Sequence, residues 1–132
     1  MSQENVEIVR RLMDHWERGD WRGGRELFAN DCEIVFSTSW FPDAGTYKVG
    51  WEAVRAWTDF TDAWEEFEVG VDRIVDAGEY VVALVRNRGR GRASGADVDA
   101  EVGGVFTVRD GKIVRADLTD RHRALEAAGF SE

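Results

Sequence analysis

The sequence predicts a single α+β domain in which three N-terminal helices pack on a strongly curved antiparallel sheet. Two features indicate this fold: apolar residues recur at helical spacing in the first half of the chain, and from Phe67 onward they alternate with polar residues. The strands predicted at 80–92 and 98–108 are too long for a flat sheet, so a bent sheet forming a half-open cone is expected. A chain of 132 residues supports one such core and not two.

The helical half begins with an amphipathic helix over Asn5–Arg18, whose apolar side chains recur every three or four residues until Gly19 ends the pattern. Asp20 then caps a shorter helical segment, Trp21–Phe28. The stretch Ser39–Gly50 holds the only proline and is predicted to be a loop. A third helix follows, marked by four residues at helical spacing: Val54, Trp57, Thr61 and Trp64.

One strand is predicted before the third helix and four after it. The first is Cys32–Thr38, in which alternation places Ile34 and Phe36 on the inner face. The last four, separated by turn-forming residues, are predicted to form an antiparallel meander. Their ranges are Phe67–Val75, Tyr80–Arg92, Val98–Val108 and Ile113–Thr119. The segment Asp120–Ala128 closes the chain as a short helix.

The composition excludes several classes of function. Lys and Arg total 17 against 26 Asp and Glu, a net charge of −9, so neither nucleic acid nor an anionic membrane is an expected partner. One cysteine forbids an internal disulfide, and two distant histidines offer no zinc spacing, so we expect no metal and no cofactor. The chain shows no apolar run of membrane-spanning length and no signal peptide, which predicts a cytoplasmic protein.

Several passages, together with the order of elements, carry a family resemblance. The passage ELFANDCEIVF, the run RGRGRASG leading into VFTVRDGKIVR, and the tail TDRHRALEAAGF resemble the SnoaL-like branch of the nuclear transport factor 2-like (cystatin-like) superfamily. The resemblance covers nearly the whole chain and implies a cone-shaped apolar pocket between the first and third helices and the concave sheet face. It implies less about activity, because similar shapes serve isomerases, cyclases, epoxide hydrolases and non-catalytic binders.

The catalytic residues of two related enzyme classes are missing from this chain. Where ketosteroid isomerases of the superfamily place their base and two oxyanion donors, this sequence has Phe36, Leu12 and Gly104. Where limonene epoxide hydrolases place an Asp-Arg-Asp cluster, it has Leu84, Arg86 and Leu118. Neither of these two mechanisms is therefore expected.

Two hairpins decide which side chains face the pocket. A four-residue loop at 93–96 would set Arg92 opposite Asp97 and Arg90 opposite Asp99 on the outer face, with the apolar residues facing the pocket. The second hairpin turns at Asp110–Gly111, as a two-residue turn or as a three-residue loop. We expect the three-residue form, because the other would bury Arg115 and Asp117. It places three residues inward: Val114, Ala116 and Leu118.

The predicted ligand-binding set is overwhelmingly apolar, which suits the orientation of a small apolar ligand. Gly104 is interpreted as pocket volume, with a β-bulge as the equal alternative. The set comprises Leu12, Trp16, Phe36, Thr38, Trp40, Trp57, Phe60, Val85, Asn87, Val102, Gly104, Phe106 and Leu118.

Two residues are candidates for acid–base chemistry. Asp120 is the candidate general base, since SnoaL-type cyclases are similar in using an acid near the end of the last strands; the alternative is that Asp120 caps the final helix. His15 is the candidate acid or base at the pocket rim, and its alternative is an exposed surface histidine.

Two functions from different classes follow. The first is a SnoaL-like protein that binds a small, largely apolar molecule, as an isomerase, cyclase or hydrolase acting on a polyketide, steroid or terpenoid-like substrate. The alternative is a non-catalytic ligand-binding or dimeric protein-interaction module. In both cases the convex sheet face is predicted to form a homodimer, through residues that include Val82, Leu84, Val105 and Thr107.

Overall fold

A computed structural model describes residues 2–21, 23–37, 45–47 and 50–129. Its α-helices are α1 (Ser2–Glu17), α2 (Gly50–Asp62) and α3 (Arg121–Ala127), with a short 3-10 turn at Arg25–Leu27. Its strands are β1 (Phe28–Phe36), β2 (Gly45–Tyr47), β3 (Glu68–Ala77), β4 (Tyr80–Arg90), β5 (Asp97–Arg109) and β6 (Lys112–Asp120). The α+β class predicted from the sequence is confirmed.

The six strands form one mixed sheet in the order β2-β1-β6-β5-β4-β3. Strands β3 to β6 form the predicted antiparallel meander. Strand β1, however, runs parallel to β6, so the prediction of a wholly antiparallel sheet is wrong at this edge. The stretch Ser39–Gly50, predicted to be a loop, contains β2, which pairs with the end of β1; much of that stretch lies outside the described residues.

The prediction of three N-terminal helices is not confirmed, because α1 is the one long helix at this end of the chain. In its described residues, the segment predicted as a helix at Trp21–Phe28 contains a 3-10 turn and no α-helix. Gly24 adopts a left-handed φ of 82° just before that turn, and Phe28 already belongs to β1. Trp64, predicted within the third helix, lies beyond the end of α2 and forms a bridge with Gly91.

The described core has two layers, one on each face of the sheet. On the inner face, α1 and α2 bury an aromatic-rich cluster that includes Trp16, Trp57 and Phe106. On the outer face, α3 packs its Ala124 and Leu125 on the central strands. Helices therefore cover both faces of the sheet.

The outer layer removes Val82 and Leu84 from the predicted convex homodimer face. Val82 and Leu84 are 0% and 1% exposed because α3 covers them. Val105 and Thr107 are half-buried beside them. The side chains of Val82 and Leu84 therefore pack against α3 of the same chain. Homodimerisation through the rest of this face stays a prediction.

The β4–β5 hairpin has the predicted faces but not the predicted partners. Arg90 lies opposite Asp97 and Asn87 lies opposite Ala100, so the expected register is wrong by two residues. The reason is a longer connection, in which the Gly95 amide donates to the Gly91 carbonyl and Gly95 takes a left-handed φ of 71°. A shift of two residues preserves the side-chain faces.

The β5–β6 hairpin uses the two-residue turn, so the predicted three-residue loop is wrong. Asp110 and Gly111 both have positive φ angles, 50° and 77°, as a type I′ turn requires. A register irregularity at Val114 then shifts the strand by one residue. Ala116 and Leu118 consequently face inward as predicted, while Ile113 takes the buried position expected of Val114.

Candidate functional site

A cavity of about 400 Å³ opens on the inner layer, where the end of α1, the 3-10 turn, β1, α2 and β6 meet. Its volume lies within the range of 300–1,000 Å³ that small-molecule sites occupy. The described residues that line it are Trp16, Trp21, Gly23, Arg25, Phe28, Cys32, Ile34, Arg55, Trp57, Thr58, Ala116 and Leu118.

Three tryptophans give the cavity flat aromatic walls. Trp16 near the end of α1 stacks on Trp57 of α2, with ring centroids 4.5 Å apart and an interplanar angle of 29°. Trp21 meets Trp57 edge to face at 6.3 Å. Such rings offer large apolar surfaces that bind planar ligands at low cost in side-chain entropy. The arrangement is therefore suited to a flat apolar molecule.

A second, much smaller space of about 20 Å³ borders the same aromatic pair. Trp16, Trp57 and Leu118 line both spaces, so these side chains form a partition between them. Asn87 lies in the small space and is 5% exposed, and its Oδ1 has no hydrogen-bond partner among the described residues. A space of this size holds about one water-sized group and no drug-sized ligand.

Gly104 does not provide the pocket volume predicted for it. A Cβ atom built at this position would lie 2.7 Å from Cε2 of Phe106, so the ring already fills the space beside the glycine. The strand pairing is continuous through Gly104, which also excludes the alternative of a bulge at this residue. Glycine is required here because an aromatic ring approaches the backbone closely.

The predicted ligand-binding residues fall into four groups. Trp16, Trp57 and Leu118 line the main cavity. Val85, Asn87, Val102, Gly104 and Phe106 line only the small space. Leu12, Phe36 and Phe60 are buried in the inner core and are absent from the described lining of either space. Thr38 and Trp40 lie outside the described residues.

Several lining residues were missed by the sequence reasoning. Trp21 and Arg25 belong to the segment that was interpreted as a second helix, so no inward face was assigned to it. Arg55 was not assigned to the pocket from the sequence. Cys32 was detectable, because strand alternation places it on the same face as Ile34 and Phe36.

Neither acid–base candidate belongs to the described lining, although His15 lies against Gly23, which does belong to it. Asp120 is exposed at the N-cap position of α3, with extended backbone angles and no capping hydrogen bond from its side chain. His15 is paired with Asp20 at an Nδ1–Oδ2 distance of 2.9 Å. The hydrogen bond from His15, with a backbone hydrogen bond from Gly23, holds the pKa of Asp20 below its ordinary value.

The ionisable groups in the described lining are Arg25, Arg55 and Cys32. Burial raises the pKa of the Cys32 thiol, and the nearby Asp31 carboxylate adds to the effect, so the thiol is not an activated nucleophile. No carboxylate or histidine lines the described part of the cavity. Within the described residues, no cluster of three or more His, Cys, Asp or Glu has an arrangement that would hold a metal ion.

The sequence profile of the SnoaL-like domain matches residues 9–116, which covers most of the chain. The chain belongs to the SnoaL-like family. The match runs from the middle of α1 into β6, and it includes the β4–β5 hairpin and every described cavity-lining residue except Leu118.

Solved structures show the same nuclear transport factor 2-like fold. An NTF2-like protein from Burkholderia thailandensis is 26% identical, with a TM-score of 0.78 over 96% of this chain and 97% of its own. A putative SnoaL-like polyketide cyclase from Jannaschia sp. is 23% identical, with a TM-score of 0.73 over 96% and 91%. TerC, co-crystallised with polyporic acid, is 16% identical, with a TM-score of 0.72 over 96% and 99%.

Among curated proteins, none matches this SnoaL-like sequence significantly. In the described part of the chain, no helix has both the length and the apolar character needed to cross a bilayer.

Proposed function

We propose that this SnoaL-like protein binds a small, flat and largely apolar molecule in the 400 Å³ cavity. The observation that carries the proposal is the lining, in which Trp16, Trp21 and Trp57 surround a space large enough for a polycyclic compound. Thr58 is a polar group in this wall, and the remaining uncharged residues are mainly apolar. The cavity therefore offers stacking surface in abundance and few positions for hydrogen bonds.

The names of two structural neighbours mention small organic molecules, but they do not assign a ligand class to this chain. One neighbour is a putative polyketide cyclase, and another was crystallised with polyporic acid. At 23% and 16% identity, the similarity to these two proteins shows a shared fold and nothing about the ligand. We therefore base the proposed polyketide, steroid or terpenoid-like ligand class on the aromatic cavity of this chain. A filled cone and a large exposed apolar patch would favour an interaction module. Here the cavity is open, and Tyr80 is the one large hydrophobic residue exposed among those described.

The geometry favours binding over acid–base catalysis at the cavity. General acid–base catalysis requires a titratable group within hydrogen-bond reach of the reacting atom. Neither Asp120 nor His15 is in the described lining, and the lining groups that ionise are two arginines and a thiol whose pKa is raised. We therefore infer ligand binding as the primary function.

The experiment is a screen by thermal shift and tryptophan fluorescence against polycyclic ketones, terpenoid epoxides, steroids and fatty acids. A ligand that binds only the folded state raises the melting temperature, and one that stacks on Trp57 changes its fluorescence. Thr58→Trp should fill the cavity from α2 and reduce the affinity of any hit by at least about tenfold, roughly the loss of one well-packed contact.

The matched control is Asp59→Trp, which adds the same side chain at the next, exposed position of α2. It should leave the affinity of every hit unchanged. Equal affinities in the wild type and both variants would place the ligand outside the cavity. A complete absence of hits, with a cooperative thermal transition, would contradict the proposed function.

The role of Asp120 as a general base is tested separately with Asp120→Asn. The side chain is exposed and outside the described lining, so affinity for a hit should change by less than about twofold. Hits are also followed for product formation by mass spectrometry. Turnover that falls at least about a hundredfold in the variant, with affinity preserved, would support the catalytic hypothesis. Unchanged turnover removes Asp120 from the mechanism.

A further inference from the structure

The charge at the described cavity lining is entirely positive. Arg25, from the 3-10 turn, and Arg55, from α2, both line the space and are both exposed, so they lie at its mouth rather than in its depth. The whole chain has 26 acidic residues against 17 Lys and Arg. The described lining thus holds two cations and no carboxylate, although the protein as a whole is acidic.

Arg55 differs from the arginines of the sheet in its partners. Arg86 donates to both carboxylate oxygens of Asp99, at 2.7 Å and 3.0 Å, and Arg90 donates to Asp97 at 3.0 Å. In contrast, no ion pair or hydrogen bond joins the side chain of Arg55 to any residue that the structure describes. The guanidinium of Arg55 thus keeps its donors available beside an apolar opening.

We propose that the ligand of this cavity is an amphipathic anion, a planar apolar body that carries a carboxylate. The apolar body stacks against the tryptophan walls, and the carboxylate accepts hydrogen bonds from the Arg55 guanidinium at the mouth. Arg25 also lines the cavity and adds positive potential near its mouth. This inference rests on the proposed function, since it identifies the class of molecule that the cavity binds.

The position of the cations at the mouth explains why this contact selects and orients the ligand. A carboxylate there stays partly hydrated, so it does not pay the full desolvation penalty of a buried ion. The planar fork of a guanidinium binds the two carboxylate oxygens together and fixes the direction in which the apolar body enters. A neutral molecule of the same shape should bind the walls equally well but lose this contact.

The test compares two probes of nearly identical shape, anthracene carboxylate and anthracene carboxamide, by calorimetric titration. In the wild type the carboxylate should bind about five- to tenfold more tightly than the carboxamide, as expected for a charge-assisted hydrogen bond at an exposed rim. Arg55→Met preserves the apolar stem and should abolish that preference, so that the variant binds the two probes with similar affinity. Arg10→Met, at an exposed position of α1, is the matched control and should retain the preference.

The possible outcomes separate this inference from the proposed function. Carboxamide that binds as tightly as carboxylate, in the wild type and in Arg55→Met, overturns the anion inference and leaves apolar binding intact. A carboxylate preference that survives Arg55→Met assigns the anion to another group and overturns the role of Arg55. Failure of both probes to bind the folded wild type contradicts the proposed function itself. A preference that disappears in Arg55→Met and weakens in high salt supports the inference.

Discussion

Phe106→Ala is expected to lower the free energy of unfolding by about 3–5 kcal/mol, the range for truncation of a buried aromatic residue. Phe106 is 0% exposed, and its ring contacts Trp16 with centroids 6.4 Å apart. The ring also fills the space beside Gly104, so its removal leaves a void that the rigid sheet cannot close. Chemical denaturation of the variant and the wild type measures the difference.

A control and a second substitution make this expectation specific. Tyr80→Ala removes an aromatic side chain that is 38% exposed on the same sheet, and it should cost no more than about 1 kcal/mol. Gly104→Ala should destabilise the wild type, because the new Cβ would lie 2.7 Å from the Phe106 ring, but should cost less in the Phe106→Ala background. Additive effects of the two substitutions would contradict the close approach of this ring to the backbone.

Gly103→Ala is expected to destabilise the protein by about 1–3 kcal/mol through overpacking. A Cβ at Gly103 would overlap the Cβ of Ala124 and lie 3.3 Å from the Ala83 carbonyl oxygen. Helix α3 would then have to move away from the sheet, which exposes Val82 and Leu84. Denaturation curves measure the loss, and amide hydrogen exchange locates it in α3.

The matched control for this substitution is Gly70→Ala on strand β3. Among the described residues, a Cβ at Gly70 meets only the Arg86 carbonyl oxygen, at 3.9 Å. The change should therefore be neutral or should stabilise the protein slightly by restricting the unfolded chain. Ala124→Gly combined with Gly103→Ala should recover part of the lost stability, because it removes the opposing methyl group. If Gly103→Ala were as harmless as Gly70→Ala, the placement of α3 would be wrong.

The sheet was largely predictable from the sequence because side-chain alternation is a local signal. The meander follows from period-two patterns, and the inward faces of Ala116 and Leu118 follow from the cost of burying Arg115 and Asp117. The register was not predictable at the same level, since it depends on loop length and on bulges. Gly95 and Asp110 take positive φ angles that determine the conformation of the two turns. The two-residue turn at Asp110 would have reversed the faces of β6, but the extra residue at Val114 shifts the strand by one position and returns them to the predicted orientation.

The site was less predictable than the fold, because a cavity exists where side chains fail to fill space. Trp16 and Trp57 were identified from helical spacing, and both line the cavity. Residues of the 3-10 turn were missed, because the short segment from Trp21 to Phe28 matched a helical pattern that Gly24 interrupts. At Gly104 the sequence predicted space that does not exist. The glycine has no side chain, but the Phe106 ring fills the volume beside it.

The most direct test of ligand binding in the inner cavity is a methyl NMR titration with the two anthracene probes. Chemical-shift changes should be largest at Ile34, Ala116 and Leu118, whose methyl groups belong to the cavity lining. Ala124 and Leu125, packed on the outer face of the sheet, serve as internal controls and should not shift. Saturable changes confined to the three lining residues are the result that we predict. Changes centred on the outer face, or none with a folded spectrum, would contradict it.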